Sequence, residues 1–537
     1  MFATARPEAE SSIIEKISMS FAYVLLALNL LGVRQVPPGT QLHVRLLTTI
    51  GSYASHAGDP VSAVLIAPVV LNPGDATAEA ILPAGAMLSG KLKSVQRVGL
   101  GFIHENAALD LDFNQISMPG GETVPLQSRV LAVENGRERV TRDGSIRGIR
   151  ATNTISYRFS GYVRTAMQFE FHAAAAAWAI RALLVQVPEA ELYYPAGVEF
   201  TLGLTAPIML RTPEPSSASD DVLIAQKPVP QKLGAEQRAR MEELVAGMPT
   251  RTHTAVSNRP SDLINLMFIG SREELTAAFE AAGWTQPQQS SMRANIHRIR
   301  AVAEGRGDAE APISLLLVDG SPPDMAWQKG FNDVSKRHHI RIWKQSTTWD
   351  GREVWIGAAT HDIDFAYMRP GWAITHKIEE NIDREREKVV NDLAFTSCVS
   401  LVDEFKRPDF PSFAYNATGD RMTTDTGLAM LALSPCPPKS DAAPEVGAGA
   451  PSTMAASTLL PRHGSKVQRF ARREVLCFRS DLLRENPYWR VYEGVRYLVS
   501  AVRSRQEHSA DPDPDIRAPY QVGQTTNRAR PILELLR

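Results

Sequence analysis

The chain has 537 residues, too many for one ordinary hydrophobic core, so length alone predicts about two to four domains. Its 58 Lys and Arg nearly balance its 59 Asp and Glu, so it lacks the global field of a protein that binds nucleic acid or an acidic partner by charge. Its three cysteines, Cys398, Cys436 and Cys477, form no CxxC, which excludes a sequence-evident zinc ribbon or redox dithiol, and the odd number leaves at least one thiol without an internal partner.

The first predicted element is the apolar stretch 17–33, centred on Phe21-Ala22-Tyr23-Val24-Leu25-Leu26-Ala27-Leu28. Its length suits a signal-peptide core and is short for a spanning helix, which needs about 20 apolar residues. Residues 1–34 are therefore read as a signal peptide or membrane anchor, placing the rest of the chain in the cell envelope or periplasm. A buried N-terminal helix is the alternative.

Residues 35–210 read as an all-β barrel or sandwich with one helical insertion. Three segments, Pro38-Gly39-Thr40, Pro83-Ala84-Gly85 and Pro195-Ala196-Gly197, each place turn chemistry just before apolar residues that alternate with polar or small ones. Their wide separation predicts recurring strand starts within one sheet system, not a solenoid of fixed period. Strands are expected at 41–50, 61–70, 86–97, 107–116 and 124–133, and a helix at 163–186. Residues 211–251 supply a linker rich in Pro, Ser and Asp followed by a short polar helix.

A second domain, 252–434, mixes strands and helices and is expected to be α+β. Its predicted elements are strands at 263–269, 313–318, 338–343 and 353–359, a helix at 272–282 and a long helix at 374–393. Residues 435–461 read as a second linker, and 462–537 as an Arg-rich helical tail.

The chemistry-bearing constellation lies in the second domain. Asp350-Gly351 is a favoured pair for a two-residue type I′ hairpin. The tight turn sets Trp343 against Ala358, Arg341 against Thr360 and His339 against Asp362, with His338 and His361 on the opposite face. Imidazoles and a carboxylate at one strand end could act as general acid and base or bind a transition metal, so His338, His339, His361 and Asp362 are the candidate catalytic residues. Arg337 and Arg341 are the candidate clamp for a phosphate or carboxylate. The competing expectation is structural: Trp343, Trp355 and their aliphatic neighbours mark a buried packing element, and adjacent His338 and His339 face opposite ways. The residues themselves name no cofactor or metal.

Pro260-Ser261-Asp262-Leu263-Ile264-Asn265, Ala281-Ala282-Gly283-Trp284, Arg337-His338-His339-Ile340-Arg341-Ile342-Trp343, Val354-Trp355-Ile356-Gly357-Ala358-Ala359 and Ile382-Asp383-Arg384-Glu385-Arg386 together resemble the LssY C-terminal domain family over about 252–430. The resemblance implies envelope association and no particular reaction. The N-terminal part resembles the TrbI-like outer barrel of type IV secretion systems, through Ile81-Leu82-Pro83-Ala84-Gly85-Ala86-Met87-Leu88-Ser89-Gly90 and the helix before the Pro195 strand. The resulting expectation is an exported structural or interaction protein whose partners are envelope or secretion-system proteins, with membrane association through 17–33 and no nucleic acid. An envelope hydrolase acting on a phosphorylated or lipid-derived substrate and a secretion-system accessory protein are the alternatives.

Overall fold

The computed structural model describes residues 33–70, 80–99, 106–150, 169–185, 187–211, 230–287, 300–304, 311–368, 373–407, 410–437 and 466–485, with a few isolated positions besides. Nearly all of the apolar stretch 17–33, most of both expected linkers and all but two positions after Glu485 lie outside the described residues. Among the described residues no helix is long and apolar enough to cross a membrane.

The N-terminal unit is a nine-stranded antiparallel sheet curled into a nearly closed barrel. Its principal strands are β1 (Gln41–Leu46), β2 (Pro60–Leu65), β3 (Met87–Gln96), β4 (Ala108–Ser117), β5 (Ser128–Val133) and β6 (Glu199–Leu204). Spatial order runs β5-β6-β1-β2-β3-β4. Period-two alternation buries Leu42, Val44 and Leu46 on one face of β1, against Leu88, Phe113, Phe200 and Leu202.

The three Pro/Gly segments form the same turn. Gly39, Gly85 and Gly197 have φ of 86°, 95° and 99°, and the next residue's N–H donates back to Pro37, Pro83 or Pro195. Positive φ at the third turn position is the type II requirement that glycine meets. Each glycine N–H also donates, at 2.8 Å, to the end of the strand that the following strand joins: Gly39 to Leu204, Gly85 to Leu65 and Gly197 to Leu46. The repeat is therefore a strand-entry device that pins register. The inserted helix, α1 (Phe171–Leu184), is shorter than expected and exposes Phe171 and Ile180.

The second unit is built on a seven-stranded mixed sheet comprising β7 (Leu266–Ile269), β8 (Met325–Gly330), β9 (Arg337–Trp349), β10 (Arg352–Met368), β11 (Ala373–Ile378), β12 (Val399–Lys406) and β13 (Gly427–Leu433). Order is β8-β9-β10-β7-β13-β12, with β11 on β10; β7 and β13 are parallel and the other pairs antiparallel. Helix α2 (Ala235–Ala246) covers one face through Met241 and Val245, beside Trp343, Ile356 and Met430. Helices α3 (Arg272–Ala281) and α4 (Asp383–Phe395) cover the other, packing Phe279, Val389 and Leu393 against Phe268, Trp327 and Trp355. Ser271 and Glu274 form a capping box that starts α3.

Two expectations are corrected. The run 374–393 is not one helix: 373–378 pairs with β10, and α4 begins only at Asp383. Strand β10 runs on beyond Asp362, where β9 ends, and offers an open edge there, so tertiary pairing outcompetes local helix propensity. The run 263–269 is two strands, Pro260–Leu263 and Leu266–Ile269, because Asn265 turns inward and its side chain donates to the Ala359 carbonyl at 3.1 Å.

Cys398 and Cys436 form a disulfide that closes β12 and β13 near their ends. The tail returns to the barrel: in α5 (Lys466–Glu485), Leu476 is buried in the barrel core and Arg472 donates to Glu191 Oε1 at 2.7 Å. That helix therefore packs on protein through these two residues.

Candidate functional site

The β9–β10 hairpin turns on Asp350 and Gly351, whose φ angles of 45° and 78° are both positive as type I′ requires. Next to the turn, Trp349 pairs with Arg352 and Thr348 with Glu353, as expected. Beyond a bulge the register differs from the expectation by two residues: Trp343 faces Ile356, Arg341 faces Ala358, His339 faces Thr360, His338 faces His361 and Arg337 faces Asp362. Gln345, Ser346 and Thr347 occupy the space opposite Val354, and a slip of two leaves every side chain on its expected face.

The four candidate catalytic residues consequently separate into two pairs on opposite faces of the sheet. On the α4 face, His338 and His361 stack with centroids 4.2 Å apart. Their Nδ1 atoms meet carboxylates, His338 with Glu385 at 2.6 Å and His361 with Glu379 at 3.3 Å. Their Nε2 atoms meet the barrel: His338 reaches Glu134 Oε1 at 3.0 Å and His361 reaches Asn135 Oδ1 at 2.9 Å. Burial alone would lower the His338 pKa, but the Glu385 and Glu134 carboxylates outweigh it and push the imidazole up to about 10. Reciprocally, the hydrogen bond and charge of His338 overcome burial at Glu134 and hold that carboxyl far below its ordinary range.

On the opposite face, His339 Nε2 bonds Thr360 Oγ1 at 2.9 Å, and its Nδ1 lies 3.6 Å from Asp362 Oδ2. Burial pushes this imidazole down to about 3 against the opposing pull of Asp362, with Arg341 and Arg337 adding to the lowering. The pKa values of neighbouring histidines in one strand are thus driven in opposite directions by their two faces. Burial alone would raise the Asp362 carboxyl, but the charge and hydrogen bond of Arg337 outweigh it and hold the carboxyl below its ordinary value.

Both candidate anion-clamp arginines are engaged within the protein. Arg337 donates to Asp362 at 2.9 Å and, through Nη1, to the Ala311 carbonyl and Gln328 Oε1, both at 3.1 Å. Arg341 donates to Asp262 Oδ2 at 3.1 Å and to the Ser314 carbonyl and hydroxyl, both at 2.9 Å. Clefts elsewhere, such as one lined by Arg238, Arg386 and Asp403 and another by Arg251 and Tyr415, contain none of the six candidates.

A buried ionic seam continues this contact between the two units. Glu199 of β6 accepts from Arg45 of β1 at 2.8 Å, from Lys329 of β8 at 2.7 Å and from Lys388 of α4 at 2.9 Å. Asp392 accepts from the same two lysines at 2.8 and 2.6 Å and from Trp284 Nε1 at 3.0 Å. The lysines and Arg45 outweigh burial and hold Glu199 well below its ordinary range; Lys329 and Lys388 do the same for Asp392.

Sequence reasoning missed the loop that completes the site. Val133-Glu134-Asn135-Gly136 is a tight turn in which Gly136 donates to the Val133 carbonyl and Asn135 adopts a φ of 49°. The Asn-Gly pair was the available signal, since it favours positive φ. From this turn, Asn135 also donates to the Lys329 carbonyl at 3.2 Å, and Glu138 accepts from Asn332 at 2.6 Å.

The geometry defines a protein in which a nearly closed antiparallel barrel is ion-paired to a mixed-sheet α+β domain through the strand-end histidines of one hairpin. Residues 245–428, which span the second unit, match the family model described as LssY C-terminus. Among solved structures, ComB10 of the Com type IV secretion system of Helicobacter pylori is similar over 34% of this chain and 93% of its own, at 12% identity and a TM-score of 0.19. That score carries no functional argument. No curated protein matches the chain.

Proposed function

We propose that this chain is an exported component of the cell envelope with a structural or docking role, in which the barrel and the LssY domain work as one body. The observation that carries this reading is the seam itself. Arg337, Arg341, His338 and Asp362 are engaged with partners inside the chain, and His338, Lys329 and Lys388 reach directly to barrel carboxylates. Buried charge of this kind orients two surfaces in one register, because any other arrangement strands ions away from water. In this reading the six candidate residues are architectural. The partners are other envelope proteins, the secretion-system class included.

Export is supported by the apolar run 17–33 and by the Cys398–Cys436 disulfide, since disulfides persist in oxidising compartments and are rare in cytosolic proteins. The experiment is fractionation of cells carrying the tagged full-length chain, combined with thiol labelling under denaturing conditions. The full chain is expected in the envelope fraction with Cys477 alone labelled before reduction, and deletion of residues 1–34 is expected to leave it in the cytoplasm. A full chain that stays cytoplasmic with all three thiols free refutes the proposal.

A further inference from the structure

We infer that the barrel and the LssY domain jointly form a binding site for one divalent transition-metal ion of the zinc class, held by Glu134, His338 and His361, with Asn135 Oδ1 completing the shell. A donor atom from each of Glu134, His338 and His361 lies within 4.8 Å of the other two. Tetrahedral zinc with bonds of about 2.0–2.1 Å separates its ligand atoms by about 3.3 Å. The donors therefore close inward by about 1.5 Å or less on loading.

The surroundings supply the stronger argument. A histidine ligand ordinarily gives its second ring nitrogen to a carboxylate, which fixes the ring and raises its basicity. Here both rings do so, through Glu385 and Glu379 on Nδ1, and both therefore present Nε2 toward the same barrel loop. His338 and His361 are direct cross-strand partners, only 4% and 5% exposed, so the pair is held by the sheet and not by a mobile loop. Two imidazole nitrogens with oxygen donors suit zinc, whereas magnesium and calcium favour all-oxygen shells.

Without the ion, one proton bridges His338 Nε2 and Glu134 Oε1. Loading replaces that proton and the one that His361 Nε2 donates to Asn135 Oδ1, both of which leave to solvent, while the two rings fan apart from their 21° tilt. Glu134 and His338 stand 204 residues apart, so the ion ties the barrel to the LssY domain. The inference is independent of the export reading: a cytoplasmic chain that binds zinc, or an exported one that does not, separates the two.

The test uses the full chain stripped with chelator and titrated with Zn2+ alone. The expected result is one equivalent bound with proton release, a raised Tm, and loss of that binding in His361→Ala but not in His56→Ala, which replaces an exposed histidine outside the donor group. Should His361→Ala fail to fold, X-ray absorption on the zinc-loaded natural chain counts the ligands without any substitution. Two imidazoles plus oxygen donors are expected. Binding no tighter than that of folded His361→Ala, or a bound ion surrounded by anything other than two imidazoles, overturns the inference.

Discussion

Replacing Glu199 by Gln keeps the shape of the seam and removes one of its two carboxylate charges. Three cations, Arg45, Lys329 and Lys388, then surround Asp392 alone. Removing one partner from a buried ionic cluster costs about 3–5 kcal/mol, because the remaining charges stay desolvated without compensation. Glu199 is 6% exposed, while the three cations keep 15–18% and are partly screened, which places the expected loss near the low end, about 3 kcal/mol. The assay is urea unfolding followed by tryptophan fluorescence, with Trp284 a direct reporter through its bond to Asp392. Lys388→Met in the Glu199→Gln background removes one of the stranded cations, so the double variant is expected to lose less than the sum of its parts by about 1 kcal/mol or more. A Glu199→Gln chain within about 0.5 kcal/mol of the natural one, or strictly additive losses, refutes the claim that the seam joins the units.

The same carboxylates predict the acid response. Glu199 and Asp392 are depressed below their ordinary values of 4.5 and 3.8, so the seam's stabilisation is complete above about pH 5 and declines as pH falls through and below those values; urea midpoints across that range should show a slope that Glu199→Gln flattens. His339→Ala should cost about 1–3 kcal/mol through its lost Thr360 bond and the weakened pairing of Asp362, while Trp343→Ala should cost about 3–5 kcal/mol as a core cavity; equal losses in chemical denaturation would contradict this ranking. Gly85→Ala should destabilise the barrel by about 1–2 kcal/mol, since a Cβ there meets no atom within 4 Å and the cost is only that of a φ of 95°; a Tm equal to that of the natural chain would show that the turn does not hold register.

Much of the local architecture was legible. The Pro/Gly repeats announce their turns because type II geometry demands glycine at one position, and Asp350-Gly351 announces its hairpin for the analogous reason. The faces of His338 and His339 followed from strand alternation, and they survived a bulge that no local signal marked because the slip was an even number of residues. The 374–393 segment misled because a helical apolar pattern carries no information about an open strand edge elsewhere in the fold.

What the sequence by itself determined is the set of short-range choices, turn types and strand alternation, together with the resemblance of the second unit to the LssY C-terminal family. These depend on backbone dihedrals and neighbouring side chains within a few residues. Only the tertiary structure decided which charges meet. Glu134 and His338, or Glu199 and Lys388, are brought together by the packing of two separate cores, and the pKa of each histidine depends on that encounter. Electrostatic energy falls with distance in space and is blind to distance along the chain, so chain order could place two histidines side by side without revealing that their pKa values are driven in opposite directions.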